Sequence, residues 1–424
     1  MSDVVSIRAG EAEGGTSAMT APDPVGGGPL GGLRLVAPAV GLYLMLRMFS
    51  LEVMYVLAGY AHARSPGRQV YPDGSINNQW RGFTSFADAL VSWDGQWYIK
   101  IAGSGLGGPV GALDPDGVPY ELRLAFFPLY PWLARPLTYL PFVTPVAACL
   151  IVSFLSAVAA AAGLYLIGRR LHGHRAGLML AALWAVVPAA MTQNGAYTES
   201  LFTALAVWAL YAVLTERWLL AGTLAAIGGL SRPTAVALIG TVGLAALVAA
   251  VSRRGGWRPY AAMLLAPLGL LAYFAFASAR LGGFTKYTEI HHNTFGARWD
   301  NGENTWGMVS DILIGVDDDN AAKPIRVLSL VILAGFIVLL LLLVRRAPWQ
   351  LTVFAAAMLV MATGTSTHIS MIGRHLLPAF PVLLVPAVLL ARATTRDRIV
   401  VLGALALLSG WYAGWLPFIS GQAI

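Results

Sequence analysis

Of the 424 residues, 57% are hydrophobic and 12% are charged, whereas an ordinary soluble domain carries roughly a quarter charged residues. A water-soluble fold of this size would lack surface, so that class is excluded. The formal net charge of +7 could be read as a preference for nucleic acid, but in a membrane chain the distribution of charge informs more than its sum, and no nucleic-acid partner is expected.

Residues 1–32 are rich in Gly, Ser, Ala and Pro with scattered acids, and read as a disordered cytosolic tail without a cleavable signal peptide. Residues 33–424 read as one transmembrane domain. Its apolar runs reach the roughly 17–25 residues that a helix needs to cross a hydrocarbon core about 30 Å thick. They are continuous, not alternating, and rich in Leu and Ala, which favours helices over a barrel. Spans are predicted at 33–59, 142–168, 176–191, 199–214, 218–231, 233–251, 259–280, 325–344, 349–364, 374–391 and 399–418. The expected fold class is therefore an all-α integral membrane bundle of about eleven transmembrane helices.

If residue 1 is cytosolic, the short inner loops hold Arg169, Arg170, Arg175, Arg217, Arg253, Arg254, Arg258, Arg345, Arg346, Arg392, Arg396 and Arg398 against two acids, Glu216 and Asp397. The outer loops hold fourteen of the 21 acids. This alternation obeys the positive-inside rule, with the N-terminus cytoplasmic, and the expected setting is a multi-pass protein of the plasma membrane. Ser231-Arg232-Pro233 interrupts one apolar stretch and reads either as an outer turn or as a broken helix lining a cavity. Two outer segments, 60–141 and 281–324, exceed simple turns, and long ordered loops are usually functional. The first contains Phe83–Leu90 and Ser92–Ile101, read as interfacial helices with Trp93, Trp97 and Ile101 on one face. The single cysteine, Cys149, cannot form an internal disulfide and says nothing of compartment.

Candidate chemistry follows the chain. Arg47 and Glu52, five apart in the first span, can offset one another's burial. In Ser92-Trp93-Asp94-Gly95-Gln96-Trp97-Tyr98 a carboxylate stands among aromatic rings. With Ser92 as cap, Asp94 falls in the first turn, where the helix dipole favours the ionised form that a general base needs. Indole and phenol rings beside it offer apolar faces to a sugar or a prenyl chain; the plainer reading is a helix start beside an aromatic belt. Arg123-Leu124-Ala125-Phe126-Phe127-Pro128-Leu129-Tyr130-Pro131-Trp132 cannot continue as a regular helix. It dips into the membrane surface, with Arg123 and Tyr130 as candidate substrate ligands, or is an interfacial anchor in which Arg123 meets a lipid phosphate. Gln193-Asn194-Gly195-Ala196-Tyr197-Thr198-Glu199-Ser200 is polar between two apolar spans, where Tyr197 and Glu199 either orient substrate or, for Thr198 and Glu199, cap the next helix. Arg232, Lys286 and Arg374-His375 map to the same outer side, and arginine at a boundary suits phosphate as well as it suits snorkelling. His291 and His292 beside Glu289 could ligate a metal but lack a third and fourth ligand of suitable spacing. Asp317-Asp318-Asp319 reads as a solvated turn, with calcium as a second reading.

Trp93-Asp94 after the first span, Ala125-Phe126-Phe127-Pro128-Leu129-Tyr130-Pro131, and Tyr197-Thr198-Glu199-Ser200-Leu201-Phe202 together resemble the PIG-V type of mannosyltransferase, within the GT-C superfamily of membrane glycosyltransferases. Gly229-Leu230-Ser231-Arg232-Pro233 and Arg374-His375-Leu376-Leu377-Pro378 add a less specific likeness. The resemblance implies a GT-C-type polytopic bundle and an inverting transferase. Its donor would be a polyprenyl-phosphate sugar, usually mannose, and Asp94 would be its base. It implies no required cofactor, although a divalent cation remains possible. Substrate contacts would fall among Trp93, Trp97, Tyr98, Arg123, Tyr130, Tyr197, Glu199, Arg232, Lys286, His292, Arg374 and His375. Eukaryotic members add the second mannose of the GPI anchor, whereas the Ala- and Gly-rich composition here points to a high-GC bacterium and a different acceptor: a glycan, glycolipid or protein hydroxyl. The rival class is a lipid or sugar transporter or flippase, which needs ionisable residues along a path open to both sides.

Overall fold

The computed structural model describes residues 28–64, 85–315, 323–366 and 371–420. Among them every named element is helical: α1 Gly28–Arg64, α2 Phe86–Val91, α3 Asp94–Ser104, α4 Leu129–Ala134, α5 Pro145–His172, α6 His174–Ala185, α7 Glu199–Leu214, α8 Trp218–Gly229, α9 Ala235–Val251, α10 Arg258–Leu265, α11 Leu268–Leu281, α12 Phe284–Phe295, α13 Glu303–Ile314, α14 Lys323–Leu343, α15 Trp349–Thr363, α16 Ile372–Leu376, α17 Leu384–Arg392 and α18 Thr395–Trp415. Five of the helical stretches are long and apolar enough to cross a membrane, with α10 and α11 counted as one, and further apolar helices of 10–17 residues lie between them.

The all-helical expectation is met, with differences at proline and in the tail. The predicted tail lies outside the described residues up to residue 27, and its last five residues open α1. The span at 259–280 divides into α10 and α11 at Pro267, and that at 374–391 divides into α16, a 3-10 turn Phe380–Leu383 and α17 around Pro378 and Pro381. Proline lacks the amide that would continue the ladder. The predicted span 176–191 shortens to α6 followed by the 3-10 turn Pro188–Gln193.

Helix α1 packs on α18, α5 and α6, while α5 lies between α6 and α7, and α8 against α9, α10 and α11. Between helices in lipid, close packing replaces the hydrophobic drive, so small residues mark the crossings. At the α5–α6 crossing a Cβ on Gly168 would stand 2.7 Å from the Gly177 Cα. The outer surface of the bundle is apolar, with Met45, Met48, Val331, Leu341 and Val400 exposed. Arginine-bearing ends meet on one side: Arg170 bonds the Leu214 carbonyl (3.3 Å), joining the α5 end to the α7 end.

The expected Arg47–Glu52 pair is not formed. Arg47 is buried and donates to Asn194 Oδ1 (2.8 Å) and the Ala185 carbonyl (3.0 Å). Glu52 instead lies in an apolar groove between α1 and α18. A spacing of five rotates the second side chain about 140° from the first, which carries it out of the bundle.

Candidate active site

The described residues between α2 and α4 fold around a buried ion pair. Asp114 takes the amides of Asp116 (3.0 Å) and Val118 (2.9 Å) on Oδ1, and Arg123 (2.9 Å) on Oδ2. Arg123 also donates to Ser104 Oγ (2.8 Å) and the Gly105 carbonyl (3.0 Å), tying the end of α3 to the turn before Phe126. The Val118 amide first, then Arg123, hold the Asp114 carboxyl well below the usual carboxylate range. Arg123 is thus a framework residue, not the substrate or lipid ligand expected. Tyr130 is likewise internal: its hydroxyl stands 2.7 Å from the Cys149 carbonyl and 2.8 Å from Ser153 Oγ.

Asp94 falls in the first turn of α3 as expected, but as its first residue, and Ser92 does not cap the helix. The Ser92 hydroxyl donates back to the Ala89 carbonyl (3.0 Å), and Trp93 takes the cap position with φ 57° and ψ −123°. With the Gly95 amide bonding the Ser92 carbonyl (3.0 Å), residues 92–95 form a type II′-like turn whose first central position normally belongs to glycine. A tryptophan there stores on the order of 1–3 kcal/mol, which the surroundings must hold.

Asp94 opens into a cavity of about 240 Å³ lined by residues from seven parts of the chain, among them Tyr98, Phe126, Arg232, His291 and Arg374. Its side chain is 38% exposed, and Oδ2 bonds the Arg374 guanidinium. Arg374 Nε stands 2.6 Å from Glu199 Oε1, which also faces Arg232 Nη1 at 3.2 Å. Glu199 is 0% exposed, so a fully buried carboxylate holds two guanidinium groups side by side. The result is a chain of alternating charge, Asp94–Arg374–Glu199–Arg232, with one open end at each terminus. At the Asp94 end, Oδ1 has no protein partner among the described residues. At the other end, Arg232 is 8% exposed, and its Nε and the Thr234 hydroxyl are buried on the cavity wall without hydrogen-bond partners among the described residues. Glu199 Oε2, off the cavity wall, is buried without a partner as well; buried polar atoms are normally paired, and Arg232 and Thr234 are cavity-lining residues with donors to spare for an acceptor-rich group.

Of the residues expected at the site, Asp94, Tyr98, Arg232, Arg374 and His375 line this cavity. Trp97 instead stacks on Phe126 (5.2 Å), and Trp93 forms the turn. Tyr197 and Glu199 are wholly buried behind the wall. Lys286 and His292 are exposed on α12 and do not reach the cavity. On that helix the inward face is Tyr287, His291 and Phe295, four residues apart. His291 lines the cavity and meets the Tyr287 hydroxyl at 2.9 Å, and burial lowers its pKa. The α12–α13 connection is pinned over the cavity by the Asp300 amide on the Gly364 carbonyl (3.0 Å) and the Ser366 amide on the Arg298 carbonyl (2.8 Å). Ser231-Arg232-Pro233 resolves as a turn between α8 and α9 that also lines the cavity. Among the described residues no group of three or more His, Cys, Asp and Glu side chains is placed to hold a metal ion; Asp317–Asp319 lie outside those residues.

Residues 125–279 match the family described as dolichyl-phosphate-mannose-protein mannosyltransferase. Among solved structures, the chain is similar to ArnT from Cupriavidus metallidurans in the apo state (16% identity, TM-score 0.48, 87% of this chain and 62% of the other). It is similar also to the same protein bound to undecaprenyl phosphate (16%, 0.47, 86% and 62%). The chain therefore spans less than two thirds of the length of those proteins. No curated protein sequence matches it.

Proposed function

We propose that this protein is a membrane glycosyltransferase of the GT-C type that moves a sugar, mannose by preference, from a polyprenyl phosphate to a hydroxyl acceptor. The observation that carries the reading is the cavity itself: a half-exposed carboxylate at one end, and at the other Arg232 and Thr234 with unpaired buried donors. The match of residues 125–279 supports the same class.

In this reading Asp94 Oδ1 accepts the proton of an acceptor hydroxyl as that oxygen attacks the anomeric carbon opposite the phosphate. The C–O bond to the phosphate breaks, its electron pair leaves on the phosphate, and the configuration inverts. Polyprenyl phosphate is a stable anion, so it needs charge stabilisation and not a proton donor; Arg232 and Thr234 supply it, with Arg374 between phosphate and base. A glycosidase differs in needing a second carboxyl as acid. Guanidinium groups take the phosphate, so the mechanism requires no divalent cation. Gly373, next to Arg374, forms part of a separate apolar cavity with Phe336, Leu339 and Phe380, a surface suited to the first isoprene units. The positive-inside pattern supports a reaction on the extracytoplasmic face, and the Ala- and Gly-rich composition supports a bacterial plasma membrane as its setting.

The test is a donor panel in nanodiscs: undecaprenyl-phosphate mannose, glucose and arabinose, each with a cell-envelope glycolipid and glycan extract as acceptor. Acceptor-dependent release of undecaprenyl phosphate, strongest for mannose, is expected, and EDTA leaves it unchanged. Movement of label across the bilayer of sealed proteoliposomes, without release from any donor, would establish a transporter instead.

A further inference from the structure

The turn that presents Asp94 is gripped from behind by one segment, Gly195-Ala196-Tyr197. The Ala196 amide bonds the Leu90 carbonyl (2.7 Å), and the Tyr197 hydroxyl donates to the Ser92 carbonyl (3.1 Å), the acceptor that closes the strained turn around Trp93. The seam leaves no slack. A Cβ on Gly195 would stand 2.6 Å from the Tyr197 ring and 2.9 Å from the Leu90 carbonyl oxygen, and one on Gly95 would stand 3.3 Å from both the Cβ and the carbonyl oxygen of Ala196. The segment is fixed in turn, since Ser153 Oγ donates to the Gly195 carbonyl (2.6 Å). The same Tyr197 ring lies under the Arg374 guanidinium, 4.7 Å from its carbon to the ring centroid. One side chain, 0% exposed and absent from the cavity wall, therefore touches both the backbone that aims Asp94 and the cation that Asp94 bonds.

We propose that Tyr197 is a positioning residue for the transfer reaction, its hydroxyl fixing the Ser92–Asp94 turn while its ring supports Arg374. The proposal rests on Asp94 acting as base. It replaces the expectation that Tyr197 contacts substrate. The physical reason is leverage: Asp94 is the first residue of α3, so a shift of the Ser92 carbonyl moves its carboxylate directly, and a misplacement of about 1 Å at a reacting group can cost on the order of 100-fold in rate.

Tyr197→Phe removes the hydroxyl and keeps the ring under Arg374. Its kinetics are measured with the undecaprenyl-phosphate sugar that is active in the donor panel, in the wild-type and the Asp94→Asn backgrounds. The expected result is a kcat lowered about 10- to 100-fold, a donor KM within about twofold, and little further loss when Asp94→Asn is already present, because residues acting through one another are non-additive. Gly95→Ala, which presses the seam from the other side, gives the same kcat-selective loss and keeps the test usable should Tyr197→Phe fold poorly. An equal loss from Tyr197→Phe in both backgrounds, with Asp94→Asn itself impaired, overturns the positioning role and leaves the base assignment standing. Full activity of Asp94→Asn overturns both.

Discussion

Glu199→Gln probes the ion chain at its centre. The substitution keeps shape and removes one charge from a site with no exposure, taking from Arg374 one of its two carboxylate partners among the described residues and leaving Arg232 without a counter-ion among them. Removing one partner of a buried pair costs about 3–5 kcal/mol, because the remaining charge stays desolvated. The contacts at 2.6 and 3.2 Å, both with side chains less than a tenth exposed, place this pair in that class and not among surface bridges worth about 1 kcal/mol or less. At about 2 °C per kcal/mol, the low end appropriate to a long chain, Tm in detergent falls by roughly 6–10 °C. Glu199→Asp, which keeps the charge on a stem shorter by one methylene, recovers most of that loss. The assay is thermal unfolding followed by tryptophan fluorescence alongside turnover. A Glu199→Gln protein melting within about 1 °C of wild type, with unchanged turnover, refutes the claim that Glu199 holds the two guanidinium groups.

Arg232→Ala removes the guanidinium donors at the phosphate end, leaving the Thr234 hydroxyl, and raises donor KM roughly 10- to 100-fold, the equivalent of about 1.5–3 kcal/mol for a charged hydrogen bond. Lys286→Ala, outside the cavity, leaves donor KM unchanged in the same assay. Asp114 contributes stability that is complete above its unfolded pKa of 3.8 and lost as pH falls below it, since folding lowers its pKa. Asp114→Asn accordingly lowers Tm at neutral pH and flattens the acid side of the Tm–pH curve. His291 is also lowered, by burial; its unfolded form takes up a proton below 6.5 while the folded form resists, so stability declines as pH falls through 6.5. His291→Phe removes that part of the decline in a Tm series across pH.

The boundaries that were legible are those set by strong local signals. Helix α7 begins at Glu199 and ends at Leu214 as read, because an acid and a polar Thr215 bound a continuous apolar run. The break at 374–391 was also present in the sequence, in Pro378 and Pro381, but hydropathy averaged over a window hides it. Asp94 stands out through its aromatic neighbours and Arg374 as a boundary cation, but their pairing is not legible, since the two are 280 residues apart and only the fold brings them together. Arg123 looked like a free cation because its partner Asp114 precedes it by nine residues across a turn that no periodicity describes. On α12 the choice of His292 over His291 was a matter of phase. Tyr287, His291 and Phe295 share one face at a spacing of four, and counting that face would have placed Lys286 and His292 outside.

The central claim is that the Asp94 carboxylate takes the acceptor's proton. Its most direct measurement is turnover of Asp94→Asn in nanodiscs, read as undecaprenyl phosphate released per enzyme, with melting followed on the same sample. Loss of a general base costs about 10²- to 10⁴-fold, while a 38% exposed side chain contributes little to stability. The account predicts a protein that melts near the wild-type temperature and turns over at least about 100-fold more slowly. Turnover near the wild-type rate contradicts it.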